Sequence, residues 1–356
     1  MSSLTKSVPR VAIIGAGLTG LSCARQLISQ GYSVHVFEQH ETVAGRMATT
    51  VISSASTQSL RFDHGTQYFT VRSPEFSQQV DLWNNQKVVQ QWFGPFVSLD
   101  GGACGSAIGD DARYVGCPGM DALCVDLARQ CFESKNGCSK LTLQATVLPL
   151  HREAEGWRVQ YQNSATRLVI QEQSLFDAVV LTVPSSKVKS ILPSDSPLLT
   201  EAAPIQMAPC LAVLLAFEES LSLPYGGVFV QESLLRWISN NSSMPGRNRL
   251  PEQWTLHPSS QWSAEHMGDT DAEILTQVCA AFEAATAIRI PSPLLQSVYR
   301  WEDAIPVNPT SQGYFSDPAQ RLILAGDWCN DARVEGAYAS GLKAAKHLVE
   351  QIMTTM

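Results

Sequence analysis

Continuous apolar runs and apolar residues at helical spacing take turns along this chain. Val11 to Ile14 is a short uninterrupted apolar run, the pattern of a strand buried on both faces. After a glycine turn, apolar positions return at helical spacing from about Leu18 to Gln30, and "SVHVFE" reads as a second strand. "SPEFSQQVDLWNNQKVVQQW" has the stripe of an amphipathic helix, and "KLTLQATVLPLHREAEGWRVQYQ" reads as a strand hairpin turning near Glu155 and Gly156. "FDAVVLTVP" is a buried strand ending at Pro184. Further on come the strands "CLAVLLAF" and "GGVFVQ", a polar loop "SNNSSMPGRNRLPEQ" and the helix "DAEILTQVCAAFEAAT". The segment "QRLILAGDWCNDARVEGAYASGLKAAKHLVEQI" repeats strand, loop and helix. Mixed strands and helices without internal repeats or a low-complexity linker predict an α/β fold in which the first domain is left and re-entered.

The turn in "VAIIGAGLTGLSCARQLISQGYSVHVFEQ" carries Gly15, Gly17 and Gly20. Their roles separate physically: one permits the sharp turn, one lets the backbone approach a phosphate, and one lets helix and strand pack closely. The helix start then aims its free N–H groups at a pyrophosphate. Glu38 ends the second strand about 20 residues beyond, where a carboxylate can accept hydrogen bonds from ribose hydroxyls. The unit reads as a βαβ dinucleotide site, with FAD and NAD both open at this point. A glycine turn with nothing bound is the bland alternative.

Composition narrows the setting. The 356 residues are enough for two domains, and a net charge of −8 leaves no broad basic surface for nucleic acid. The leader "MSSLTKSVPR" lacks an apolar core of signal-peptide length, and "PCLAVLLAF" is too short to cross a bilayer, so a soluble cytoplasmic protein is expected. The nine cysteines form no CxxC or His-rich spacing, and no metal site is expected. Cys124 and Cys131 fall on one face of the helix in "MDALCVDLARQCFES", as small buried hydrophobes would; a redox relay is the alternative.

The return segment bears on the cofactor. A buried strand there ends at Asp327, and Gly336 opens a helix that contains Ala337, Ser340, Gly341 and Ala344. Asp327 is placed to accept from a ribityl hydroxyl, while amides at the helix start can donate to a flavin ring or pyrophosphate. "AGRM" adds Arg46, whose planar fork suits phosphate oxygens. Only FAD offers both a ribitol and a distant adenosine.

"GAGLTGLSCA", "AGRM", "DHGTQYFT", "RYVGCPGMDAL", "LHPSSQWS" and "GDWCNDARVEGAYASG" together resemble renalase-like flavoproteins of the flavin amine oxidase superfamily, from about Val11 to Ile352. The resemblance implies a Rossmann-like FAD-binding domain of the p-hydroxybenzoate hydroxylase type at 1–70, 115–190 and 295–356. A sheet-and-helix substrate domain is implied at 71–114 and 191–294. It implies noncovalent FAD held by Gly15, Gly17, Leu18, Thr19, Gly20, Glu38, Gln39, Gly45, Arg46, Gln67, Val147, Asp327, Val334, Glu335, Gly336 and Ala337. It further implies oxidation of the 2- and 6-dihydro isomers of β-NAD(P)H by hydride transfer to flavin N5, with dioxygen reduced to hydrogen peroxide. The chain departs from the bacterial pattern in having Cys117 where lysine is common and no lysine near Met244, which makes the pocket less basic.

Hydride transfer that restores an aromatic ring needs no general base, only a desolvated slot with a few polar anchors. His257, Gln261 and Trp262 of "HPSSQWS", with Tyr68 and Asn241, are the expected slot residues; the alternative for each is a structural or core role. Rival functions are an amine oxidase or desaturase on the same FAD frame, and a noncatalytic FAD-binding module. Cys329 of "GDWC" raises covalent flavin attachment as a further alternative, which the resemblance argues against.

Overall fold

The computed structural model describes residues 8–54, 57–100, 103–107, 109, 111–133 and 138–352; most of the polar leader lies outside them. The chain forms two compact units, Met1–Gly45 with Cys124–Gln206 and Pro306–Met356, and Arg46–Leu123 with Met207–Ile305.

The first unit is built on a six-stranded sheet ordered Tyr314–Asp317, Leu322–Ala325, Ala178–Leu181, Arg10–Ile14, Ser33–Phe37 and Lys140–Thr142. All neighbours run parallel except the first pair. Val11–Ile14 and Ala178–Leu181 are buried throughout, which explains their uninterrupted apolar runs. The helices Leu18–Ser29 and Val334–His347 pack together with almost no space between them. A Cβ on Gly341 would lie 2.1 Å from Ser22 Oγ and 2.3 Å from the Thr19 carbonyl oxygen. Thr19 Oγ1 donates to the Ala337 carbonyl at 2.9 Å, and Arg25 to the Tyr338 hydroxyl at 2.7 Å. Gly341→Ala is therefore expected to push the helices apart and cost about 1–3 kcal/mol, read as a lower urea midpoint.

The second unit carries a seven-stranded sheet ordered Leu295–Pro306, Met207–Phe217, Glu252–Pro258, Leu235–Asn240, Gly227–Gln231, Phe96–Asp100 and Ala103–Ala107. Trp254 and Leu256 belong to the core that takes in Ile274, Val278 and Phe282 of the helix Asp271–Thr286. That helix begins with a capping box between Thr270 and Glu273, which satisfies two otherwise unpaired amides. By the period-two rule Gln253, Thr255 and His257 face the other way. The hairpin of Thr49–Ser54 and Thr57–Asp63 supplies Leu60 and Phe62 to pack on Leu214 and Ala216.

Several expected boundaries move. Residues 46–70 belong to the second unit, because Arg61 N donates to Gln253 Oε1 at 2.6 Å and Asp63 N to Asn241 Oδ1 at 3.0 Å. Residues 115–123 follow, with Met120 N on Asp63 Oδ1, and 295–305 join as an edge strand of the seven-stranded sheet. Ile191, Leu192, Leu198, Ala202 and Ile205 instead complete the core of the first unit. The hairpin His151–Glu153 with Gly156–Arg158 forms as expected, but the residues before it split into Lys140–Thr142 and Ala145–Val147, which enter different sheets. Gln144, at a left-handed φ of 55°, makes the break. The late strand stops at Ala325, before Asp327, and its helix opens at Val334, before Gly336. Among the described residues no helix is long and apolar enough to cross a membrane.

Candidate functional site

In the first unit the three turn glycines differ in what surrounds them. Gly15 has φ of +110°, and a Cβ on Gly20 would lie 2.0 Å from the Gly15 carbonyl oxygen, so turn geometry and helix packing account for both. A Cβ on Gly17 would meet nothing within 4 Å. Its bare Cα faces open space, as close approach by a ligand requires. Leu18, Thr19 and Gly20 form the first helical turn and have no carbonyl one turn earlier within the helix. Val334, Glu335 and Gly336 do the same for the second helix, and the bond from Thr19 to Ala337 brings the two first turns together. Two helix N-termini side by side form an electropositive site for phosphate oxygens.

Glu38 is buried at the end of its strand, its Oε2 accepting from Ala16 N at 2.8 Å and its Oε1 from His40 N at 3.0 Å. These bonds fix the carboxylate while leaving lone pairs on both oxygens. Gln39 beside it is exposed and lines a shallow cleft of about 460 Å³ with His40, Glu41, Gln144, Thr146 and Ser164. Val147 is in the core, so only its backbone can face a ligand. Asp327 is buried and accepts from Trp328 N at 2.9 Å. Gly45 lies beside Gly17, the two linked through the bridge from Gly17 to Ala44. The Cys329 thiol is fully buried and its pKa is held well above the ordinary value by that burial and by Asp327. An inert thiol of this kind does not suit covalent attachment.

In the second unit the turn Asp63–His64–Gly65 is the hub. Asp63 Oδ1 accepts from Thr49 Oγ1 at 2.6 Å and Met120 N at 3.0 Å, Oδ2 accepts from Arg247, and the carbonyl accepts from Thr255 Oγ1 at 3.2 Å. The His64 carbonyl accepts from both His257 Nε2, at 3.1 Å, and Trp301 Nε1, at 3.0 Å. His64 stacks on Trp301 with centroids 5.2 Å apart and lies 3.8 Å from Tyr299. Burial, then the neighbouring His257, lower its pKa to about 4; burial also lowers that of His257, against the bond to the His64 carbonyl.

The His64 ring therefore stays neutral in the fold down to about pH 4, whereas in the unfolded chain it takes a proton below about pH 6.5. The unfolded state binds more protons in that window, so stability contributed by His64 is complete above pH 6.5 and is lost as the pH falls toward 4. The urea midpoint is expected to fall from pH 7 to pH 5, and less steeply in His64→Gln.

The expected slot residues do not all meet here. Asn241 is fully buried, donating to Thr255 Oγ1 at 2.8 Å and accepting from Asp63 N; Gln67 bonds Asp63, Gly65 and Ser239. Their amides hold the hub together. Trp262 packs against the core cluster that includes Ile274 and Val278 and stacks on His266 at 4.1 Å, while Gln261 is exposed and bonded to Glu265 at 3.3 Å. The cause is that Ser259 caps a helix, Ser260–His266, that turns these side chains away from the hub. His257 remains in the hub. Tyr68 lies 5.3 Å from Trp237, ring to ring, with the Arg113 guanidinium 5.4 Å from its own ring. Arg46 donates from Nη1 to the Ala304 carbonyl at 3.2 Å, and its own carbonyl accepts from Thr66 N. Asp63, Arg247, Trp237 and Trp301 were not singled out by sequence; the only signal was that Asp63 lies in the "DHG" segment.

A Rossmann-like glycine turn with an oriented ribose acceptor, followed by a second helix start, defines a dinucleotide-binding oxidoreductase fold. Residues 82–349 match the family model for flavin containing amine oxidoreductase, and residues 13–83 that for an NAD(P)-binding Rossmann-like domain. The chain belongs to the family of flavin containing amine oxidoreductases, and FAD is its cofactor. Among solved structures it is similar to a candidate protoporphyrinogen oxidase from Exiguobacterium sp. 255-15, at TM-score 0.76 and 13% identity over 99% of this chain and 100% of that one. It is also similar to putrescine oxidase bound to putrescine, at TM-score 0.71 and 14% identity over 96% and 99%. A curated relative, the 4,4'-diapophytoene desaturase of Staphylococcus aureus (strain Newman), is 50% identical over 38 residues. That match spans 11% of this chain and 8% of the relative's length. The first unit fits FAD: the bare Gly17, the paired helix starts and the fixed Glu38 carboxylate are suited to its pyrophosphate and ribose.

Proposed function

We propose that this chain is a renalase-like oxidase of the 2- and 6-dihydro isomers of β-NAD(P)H. The observation that supports this reading best is the state of His64 and His257. Both are buried, burial lowers the pKa of each, and neither bonds a carboxylate among the described residues. A neutral imidazole can act as a base, but neither ring has the carboxylate that would orient it within an acid–base pair. A misplaced dihydropyridine needs no such pair, because loss of hydride restores its aromaticity. Bound FAD supplies the two-electron acceptor, and dioxygen takes the electrons onward to hydrogen peroxide. Gly17, the helix starts at Leu18 and Val334, Glu38 and Asp327 would hold the cofactor, and Arg46 would pair with its phosphates. The desolvated face around His257 and Tyr68 would orient the substrate ring and exclude water.

The test is anaerobic mixing of the yellow holoenzyme with each isomer while flavin absorbance is followed. The 2- and 6-dihydro compounds are expected to bleach it far faster than ordinary 4-dihydro NADH. Equal rates for all three isomers, or faster bleaching by a primary amine such as putrescine, would overturn the proposal. A flavin that none of them bleaches would point to a noncatalytic module.

A further inference from the structure

The seven-stranded sheet places Trp237 directly opposite His257 on adjacent strands, so the two side chains rise from the same face. Directly paired residues have Cβ atoms about 4.5–5.5 Å apart. Trp237 is 6% exposed, and its indole Nε1 is buried without a hydrogen-bond partner. The ring's position is built into the sheet: a Cβ on Gly227 would lie 2.3 Å from it, and Phe229 and Tyr68 flank it at 4.7 and 5.3 Å. An indole N–H can only donate, and leaving it unpaired in a buried site is costly.

His257 supplies the complement. Its Nε2 faces the His64 carbonyl, which can only accept, so Nε2 carries the proton. Nδ1 therefore holds a lone pair. The unpartnered donor of Trp237 and the Nδ1 lone pair of His257 thus belong to cross-strand neighbours on one face of the sheet.

We infer that Trp237 and His257 form a receptor for a primary carboxamide, the indole N–H donating to the carbonyl oxygen and His257 Nδ1 accepting from the amide N–H. This inference rests on the proposed dihydronicotinamide substrate, whose ring carries such a group. A carboxylate at the same position has no N–H to offer and would set its charge against the lone pair of Nδ1. The imide edge of the flavin ring presents the same donor beside an acceptor, and the experiment separates the two sources.

The oxidised holoenzyme is titrated with NAD+ and with its deamido analogue, in which the carboxamide is a carboxylate, and binding is followed by calorimetry. NAD+ is expected to bind at least about tenfold more tightly than the analogue. Trp237→Phe, which keeps the ring and removes the donor, is expected to weaken NAD+ about tenfold with FAD content and flavin spectrum unchanged. Equal binding of the two dinucleotides, or no binding of NAD+, overturns the receptor without reference to any variant. A Trp237→Phe protein that sheds FAD or shifts the flavin spectrum while NAD+ affinity holds assigns the pair to the cofactor and also overturns it. Preference for NAD+ in an enzyme that no dihydronicotinamide reduces leaves the receptor standing and removes the proposed activity.

Discussion

Asp63→Asn is expected to lower the unfolding free energy by about 3–5 kcal/mol, the range for breaking a buried ion pair from one side. The side chains of Arg247 and Asp63 are 1% and 0% exposed. Nε and Nη1 of Arg247 have no hydrogen-bond partner among the described residues, so the ion pair with Asp63 carries most of the compensation for burying the guanidinium, with Asp121 a further negative charge near it. Asparagine can keep the contacts with Thr49 and Met120 but removes the charge paired directly with the guanidinium. Urea unfolding of the holoenzyme at pH 7.5 measures the loss. Adding Arg247→Met to Asp63→Asn should recover much of it, because an apolar chain needs no partner. A loss below about 1 kcal/mol would mean that water reaches the pair.

Glu38→Ala should act on both fold and cofactor. The carboxylate holds two backbone amides, from Ala16 and His40, and each charge-assisted bond contributes about 1.5–3 kcal/mol. Losing both costs about 3–6 kcal/mol of stability, and losing the ribose acceptor weakens FAD by a further factor of about 10–100. Glu38→Gln separates these effects, since its amide offers one acceptor oxygen in place of two. FAD release followed by fluorescence during dialysis, beside a urea titration, measures each. Full FAD retention in Glu38→Ala would place the ribose elsewhere.

What the sequence made legible was the local part of the structure. The βαβ unit, the helix Asp271–Thr286 and the buried strand Ala178–Leu181 follow from periodicity within a few residues, and they lie where that periodicity predicts. The hub of the second unit was not legible, because its logic is long-range. Arg247 sits in a polar stretch that reads as a solvated loop, and only a partner 184 residues away buries it. Trp262 and Asn241 have the residue types of a ligand slot, but a serine cap turns one toward the core and the Asp63 amide engages the other. Domain boundaries failed for the same reason: the hairpin at Thr49–Asp63 follows the nucleotide motif in sequence and hydrogen-bonds to strands made much later.

The sheet order of the first unit sets a schedule for synthesis. Arg10–Ile14 leaves the ribosome with Ser33–Phe37 to pair on one side, but its other edge waits for Ala178–Leu181. Thr182, which closes onto Ile14, is 168 residues downstream. The next strand in that order, Leu322–Ala325, is translated only after every strand of the other unit's sheet. For much of translation the nascent chain therefore carries a bare strand edge, apolar from Val11 to Ile14, the kind of surface that recruits holdase chaperones or seeds aggregation. Recombinant yield should consequently respond to elongation rate and chaperone supply more than to the stability of the finished enzyme.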